Sequence, residues 1–476
     1  MRSAFILGLV AIAGCASSPS YRSPALQVPT SFREARDTAG GTSHVAVMTS
    51  TSVSESVHQA RSTYWEQLGD TTLNRLIADL VRANQDVHAA EARVRATRSE
   101  RTRTLLDLTP DTRFTGSYAR QRLSSASFPG FPGSFPDQNI WDAGVSASWD
   151  LDVFGQIRHT AQARGAMVGV AQEELRDVQV SLTAELALTY FALRGAQEQL
   201  SVARENADNQ RRTFNIARAR LEAGRGSAFD TERAQAQLST TLASIPAREA
   251  QVAAAQYRIG VLVGRPPAAV AAELGQPGRI PALPDIASIG TPEAVVRTRP
   301  DVAAAERQAA AQGALVGAAK SSYLPKISIG GSAGYVAPEF RAVGDQGTLR
   351  YAVGPVISWP LLSLGRVKAD VDAAEAQEDA ARSHYRAVVL SAMEDLEVSI
   401  SRYRAARQRL DRLEEASVAS QHAAQLALLR FTEGATDLLQ VLDAQRTQLE
   451  AQDRLAQARS DAGAAYAALF RAIGGR

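Results

Sequence analysis

Residues Trp141-Asp142-Ala143-Gly144-Val145-Ser146-Ala147-Ser148-Trp149-Asp150-Leu151 decide the fold. Apolar and small residues hold the odd positions. Polar residues and glycine hold the even ones. Period two is the pattern of a strand with unlike faces. About ten such residues, tilted, cross a bilayer. The stretch runs on into Trp149-Asp-Leu-Asp-Val-Phe-Gly155, and this ending recurs 210 residues later as Trp359-Pro-Leu-Leu-Ser-Leu-Gly365.

Three further segments alternate in the same way, giving predicted strands near 112–122, 141–152, 326–336 and 348–359. Phe114, Gly116 and Tyr118 share one face of the first. Ile327, Ile329, Gly331, Ala333 and Tyr335 share one face of the third, and Leu349, Tyr351, Val353, Pro355, Ile357 and Trp359 one face of the fourth. An apolar outer face ending in aromatics suits a transmembrane barrel, with Trp141, Trp149, Trp359, Tyr118, Tyr335 and Tyr351 as interfacial aromatics against outer-membrane lipid. A soluble sandwich would show the same alternation. Four strands do not close in lipid, because barrels begin at about 8 strands and an open edge leaves backbone groups unsatisfied. Two chains would supply 8 and three would supply 12; polar inner faces favour the wider ring.

The offset of 210 is general. Glu222-Ala223-Gly224 matches Thr432-Glu433-Gly434, Ala234-Gln235 matches Ala444-Gln445, and Gly264 matches Gly474. Upstream, Asp86-Val87 matches Asp301-Val302, Pro110 matches Pro325 and Gly116 matches Gly331, at 215. The chain is therefore read as an internal duplication, with repeats at 65–264 and 291–476 joined by a linker at 265–290.

Between strands and turns the period changes to seven. Leu186, Leu193, Leu200, Ala207, Phe214 and Leu221 form one heptad stripe, and Leu396, Tyr403, Leu410, Ser417, Ala424 and Phe431 its copy. Sustained heptads predict coiled-coil packing, here in long helices at 156–222 and 366–432. Each is roughly 100 Å long at ~1.5 Å per residue. Shorter helices are predicted at Thr71–Leu106, 228–263, Pro292–Ser321 and 437–473. Ala444, Ala451, Ala458, Ala465 and Ala472 make an alanine stripe that admits close neighbours, and Pro246 predicts a kink. Gly224-Arg225-Gly226-Ser227 and Glu433-Gly434-Ala435-Thr436-Asp437 place glycine just past a helix end, with Ser227 and Thr436 as caps for the next helix.

Composition agrees. The 476 residues include 87 alanines but only 6% aromatics. Net charge is +2, which provides no field for nucleic acid. The six histidines are scattered, without metal spacing. Gly330-Gly331-Ser332-Ala333-Gly334 spells G-x-S-x-G, but it continues a strand and forms no nucleophile elbow. No enzyme and no cofactor are expected.

The lone cysteine is an address. Arg2, the apolar run Ala4–Ala13 and then Ile12-Ala13-Gly14-Cys15 have the proportions of an export signal. The small residues before Cys15 resemble a bacterial lipobox. Residues 1–14 then read as a signal peptide, Cys15 as the lipidated residue and 15–64 as an extended arm.

The stretch Phe431-Thr-Glu-Gly434-Ala-Thr-Asp-Leu438-Leu439-Gln-Val441-Leu442-Asp443-Ala444-Gln445-Arg446-Thr447 carries a family resemblance. So do Ala468-Leu469-Phe470, Ile473-Gly474-Gly475, Arg299-Pro300-Asp301 and the paired Trp-x-Leu-x-x-x-Gly motifs. The chain resembles the TolC-like outer-membrane factors, in the NodT-type lipoprotein branch serving resistance-nodulation-division efflux pumps. The resemblance implies an α+β membrane protein, a homotrimer with a 12-stranded barrel (four strands per chain) continued by a 12-helix periplasmic tunnel. It implies passive export of drugs, toxic compounds or metal ions, with a periplasmic adaptor and an inner-membrane pump as partners. Leu439 and Asp443 would close the periplasmic gate as an apolar ring and an acidic, cation-selecting ring. Gly224, Arg225, Gly226, Ser227, Gly434, Ala435 and Thr436 would dock the adaptor. A lipid-anchored periplasmic coiled-coil scaffold and an exit duct for protein secretion are the alternatives.

Overall fold

The computed structural model describes residues 64–124, 135–285 and 291–475. Cys15, the export signal and the arm before Tyr64 lie outside the described residues. In chain order the elements are α1 (Thr71–Ala83), α2 (Gln85–Leu106), β1 (Asp111–Gln121), β2 (Gln138–Asp150), α3 (Gln156–Glu222), α4 (Ala228–Leu262), α5 (Pro267–Glu273), α6 (Pro292–Thr298), α7 (Pro300–Ser321), β3 (Lys326–Ala337), β4 (Leu349–Ser358), α8 (Leu364–Thr432) and α9 (Leu438–Ala472). The strands and long helices lie within a few residues of their expected bounds. α4 runs through Pro246 as one helix.

Two compact units form, and each draws on both repeats. The first comprises 93–172 and 304–386 among the described residues. It holds an antiparallel sheet in the order β1-β2-β3-β4. Its register aligns the apolar positions into rows. Tyr118 faces Trp141 and Phe114 faces Val145. Ala143 faces Tyr335 and Trp149 faces Ile329. Ala333 faces Tyr351 and Ile327 faces Ile357. One face of the sheet is thus apolar across all four strands. The other carries Arg350 bonded to Asp142 at 2.5 Å and Lys326 paired with Asp150 at 2.8 Å.

Both repeats reach this sheet by the same join. Trp149 donates its indole N–H to the Leu108 carbonyl at 2.8 Å, and Trp359 donates to the Tyr323 carbonyl at 3.0 Å. Donors are 210 apart and acceptors 215, so the repeated tryptophan motif is a strand-to-helix clamp. The exits differ. Asp152, at φ 41, accepts from the Ile157 and Arg158 amides and caps α3. Its counterpart Leu362 is fully exposed within a short 3-10 turn.

The second unit contains residues 64–92, 173–285, 291–303 and 387–475 of the described chain. Its main core gathers Trp65, Leu73, Leu76, Leu80, Leu186, Tyr190, Phe191, Leu193, Ile259, Tyr403, Tyr466 and Phe470. The heptad residues Leu186, Leu193, Ala207, Leu396, Tyr403, Ser417, Ala424 and Phe431 are buried. Close approach is visible at Gly463, where an added Cβ would lie 2.5 Å from the Phe191 ring, and at Gly195, where it would lie 2.6 Å from Ser460.

Two expected helices are each broken. Thr71–Leu106 is interrupted at Asn84 and Pro292–Ser321 at Arg299, both in extended conformation. The breaks are 215 residues apart, so they belong to the duplication. Arg299 precedes Pro300, and a residue before proline is pushed out of the helical region. Asn84 breaks by side-chain competition: its amide oxygen caps α2 at the Asp86 and Val87 amides. The predicted linker also contains a helix, α5, with Pro267 at its first turn.

Candidate functional site

The turns α3–α4 and α8–α9 are built alike. Gly224 and Gly434 stand at φ 68 and 76, the left-handed region. At the first turn the Gly224 amide donates to Leu221 O at 2.9 Å, and the Arg225 amide to Arg220 O at 2.8 Å. At the second the Gly434 amide donates to Phe431 O at 3.0 Å, and the Ala435 amide to Arg430 O at 2.8 Å. This paired closure satisfies helix-end carbonyls and requires the left-handed residue.

The caps correct one expectation. Ser227 caps α4 by accepting from the Phe229 amide at 3.1 Å. Thr436 does not cap α9; Asp437 does, accepting from the Gln440 amide at 3.1 Å. Thr436 instead donates its hydroxyl to the Gln440 side chain at 2.5 Å. Asp437 lies 210 after Ser227, so the repeat offset already pointed to it, and its carboxylate suits a helix N-terminus better than a hydroxyl.

A small core beneath the turns joins all four helices: Ala217 of α3, Ala234 of α4, Phe431 of α8, and Leu438, Val441 and Leu442 of α9. Leu439 and Asp443 lie outside it. Leu439 is 46% exposed, and the Asp443 side chain 63%. They are four residues apart, on one stripe of α9. Asp443 accepts from Arg446 at 2.8 Å. The pair offsets the negative charge that an acidic ring requires. The i,i+3 spacing of Asp443 and Arg446 was the available signal.

Arg220 makes a contact that helix patterns do not announce. Its guanidinium carbon lies 4.0 Å from the Phe431 ring centroid. It donates to Phe431 O at 2.8 Å and Thr432 O at 3.3 Å. A cation on the last carbonyls of α8 complements that helix's dipole and ties the first repeat's tip to the second's. Arg225 and Gly226 lie exposed in the first turn, as Gly434 and Ala435 do in the second, where Thr436 is half-buried.

On the sheet, the aromatics sit at different depths. Trp141 packs on Tyr118 at 4.5 Å and on Phe340 at 5.1 Å. Trp149 and Trp359 lie at the helical end of the strands, held by their clamps. Tyr335 shares a row with Ala143 and Leu349. Tyr351 lies farther in, opposite Ala333 and level with Val145 and Phe114. Tyr351 and Phe114 are 78% and 73% exposed in the single chain. Among the described residues no group of His, Cys, Asp and Glu is placed to hold a metal ion.

Comparison with known proteins accounts for this arrangement. The family model described as outer membrane efflux protein matches twice, over residues 76–265 and 292–475. Nodulation protein T of Rhizobium leguminosarum bv. trifolii is 26% identical over 97% of this chain and 95% of its own. The toluene efflux pump outer membrane protein TtgF of Pseudomonas putida is 26% identical over 98% and 95%. The outer-membrane channel OprN superposes with a TM-score of 0.85 at 34% identity, covering 97% of this chain and 99% of its own. The Campylobacter jejuni channel CmeC shares the fold at 17% identity, with a TM-score of 0.83 over 97% and 95%. A duplicated chain with a four-stranded, one-face-apolar sheet and paired long helices is the architecture of these channels, and the protein belongs to the outer membrane efflux family and is placed in the outer membrane.

Proposed function

We propose that three copies of this chain close into a 12-stranded barrel continued by a 12-helix tunnel, serving as the outer-membrane duct of a tripartite efflux pump. The observation that carries the reading is the sheet. Its apolar face spans four strands, and among the described residues β1 and β4 each pair on one side only. Such edges are costly in lipid and are removed by closure. Three copies give 12 strands and leave the face bearing Asp142, Asp150, Lys326 and Arg350 towards a wet lumen. A lipid-anchored scaffold would have no use for that face.

Transport is passive, with a periplasmic adaptor at the tips and a resistance-nodulation-division pump in the inner membrane supplying the energy. Curated relatives carry cargoes as different as toluene and pyoverdine, which fits a duct whose selection lies in the pump. Leu439 supplies an apolar ring at the tunnel mouth, and Asp443 with Arg446 a charge-paired one. Cys15 carries the lipid, and no cofactor takes part.

Planar-bilayer recording with heat-modifiable gel migration tests the reading. A trimer band that collapses on boiling is expected, together with discrete conductance steps that rise in Asp443→Ala. A monomeric protein without conductance, wild type and Asp443→Ala alike, would sink it.

A further inference from the structure

Along α3, between the main core at Leu193 and the tip core at Ala217, the contact with α9 is polar. Among the buried positions there, Gln199, Ala203, Asn206, Gln210, Thr213 and Ala217 follow one another by four and three residues in turn. That is the core spacing of a coiled coil, yet the largest apolar residue in the row is alanine. Gln445 donates to the Thr213 hydroxyl at 2.8 Å, Asn206 to the Gln452 side chain at 2.8 Å and Gln199 to the Gln457 side chain at 3.3 Å. The bonds recur once per heptad of α3, as successive rungs of one antiparallel seam.

Stability does not account for these amides. Gln210 is 1% exposed, and neither atom of its amide has a hydrogen-bond partner among the described residues. The Gln445 oxygen is buried and unpartnered as well. A buried amide without a partner is destabilising. Polar residues at coiled-coil core positions give up stability to fix partner and register.

The duplication creates the need for such a choice. α8 is a copy of α3, and α4 a copy of α9. At an offset of 210, Thr213, Asn206 and Gln199 correspond to Ala423, Ala416 and Arg409, all exposed on α8. Gln445 and Gln452 correspond to Gln235 and Leu242 of α4. Gln235 is exposed and bonded to Ser239 of its own helix at 3.1 Å, and Leu242 is exposed. The amide rungs therefore belong to the pair α3 and α9 alone. Three chains bring together six hairpins of one shape, each able to offer its long helix to the short helix of another.

Resting on the trimeric channel reading, we infer that the buried amides of α3 and α9 are a pairing code that makes first and second repeats alternate around the ring. α9 seated on a second copy's α8 would bury Gln445 and Gln452 against alanines, with nothing to donate or accept. α4 of a second copy seated on α3 would bury Asn206 against Leu242. Both pairings of like repeats are refused by unpaired amides, and the open face of α8 is left to the α4 of a second copy, whose Leu242 suits alanines.

The test uses two differently tagged full-length copies expressed together. One carries Gln408→Cys, the α8 counterpart of Glu198, and the other Arg459→Cys. Glu198 pairs with Arg459 across the seam, so a short thiol-reactive bridge between the tags reports α9 seated on a second copy's α8. Glu198→Cys/Arg459→Cys in one chain bridges internally and shows that the reagent reaches. With the amides in place the inter-tag bridge stays at background. Replacing the rungs by Thr213→Val, Asn206→Leu, Gln445→Leu and Gln452→Leu raises it about tenfold, the discrimination of one unpaired buried amide, while the melting temperature does not fall. Ala416→Asn/Ala423→Thr writes the α3 rungs onto the exposed α8 face without touching a core, and raises the same bridge even where the fourfold variant does not fold. Trimers that conduct, with the bridge at background in Ala416→Asn/Ala423→Thr, overturn the code and leave the channel standing. A wild type that stays monomeric overturns the channel and the code together.

Discussion

The two repeats use one set of joints with different side chains, and the contrast separates scaffold from device. Asn84 donates to the Leu262 carbonyl at 2.8 Å, and Arg299 to the Ala472 carbonyl at 2.9 Å. Donors are 215 apart and acceptors 210, the reverse of the tryptophan clamps. The same carbonyl at the end of each repeat's last helix is read by an amide in one copy and a guanidinium in the other. At the tips the similarity stops. Leu439 and Asp443 of α9 correspond to Phe229 and Arg233 of α4, where Arg233 lies 5.9 Å from the Phe229 ring. Identical backbone positions thus carry an apolar residue with an acid in one repeat and an aromatic with a base in the other. Turns and clamps were kept by both copies; the stripe of an apolar residue with an acid belongs to the second alone.

The largest expected difference between the copies is at the helix breaks. Arg299 is buried, bonded to Asp301 at 2.7 Å and Asp395 at 3.3 Å as well as to Ala472 O. Arg299→Ala strands those acids and costs about 3–5 kcal/mol. Asn84→Ala loses neutral hydrogen bonds only, about 1–3 kcal/mol. Denaturant unfolding in detergent ranks the two, and equal losses would break the distinction.

Packing comes next. Gly463 corresponds to Ala253, which makes the alanine acceptable in one repeat and not in the other. Gly463→Ala drives a methyl into Phe191 and costs about 1–3 kcal/mol by overpacking, read as a lower unfolding midpoint. A neutral outcome would show that the seam yields.

The turns should behave as twins. Gly224 and Gly434 have no atom within 4 Å of an added Cβ, so each substitution by alanine costs only backbone strain, about 1 kcal/mol. Unequal losses in the same unfolding measurement would mean that one turn is held by more than its own geometry.

The smallest effect is electrostatic. Burial, with nearby Asp301, raises the Asp177 carboxyl above its ordinary range. Its counterpart is Ala387. A raised acid destabilises the fold once ionised, so the cost is absent below the unfolded pKa, grows as pH rises towards the folded pKa, and is complete above it. Asp177→Ala is therefore more stable than the parent at neutral pH, and the gain shrinks as pH falls through the carboxylate range. A gain independent of pH in thermal melts would assign it to helix propensity.

Strands, long helices and turns were legible because each follows from a local period or a single glycine. Four alternating runs predicted four strands, and thirty heptads of offset kept the two long helices in phase. The breaks at Asn84 and Arg299 were missed for unlike reasons. Pro300 marked the second, but nothing local marked Asn84, whose extended backbone follows from what its side chain reaches in three dimensions. The Thr436 assignment failed because a hydroxyl beside a helix start is a common signal, while the choice between neighbours depends on the backbone path.

By itself the sequence determined the elements, their duplication and the two glycine turns, since these rest on side-chain period and backbone freedom within a few residues. Only the tertiary structure decided that the apolar strand faces align into one surface and that Arg220 caps the other repeat's helix. Those depend on register and on contacts between residues up to 212 positions apart, where free energy is set by geometry that no local pattern encodes.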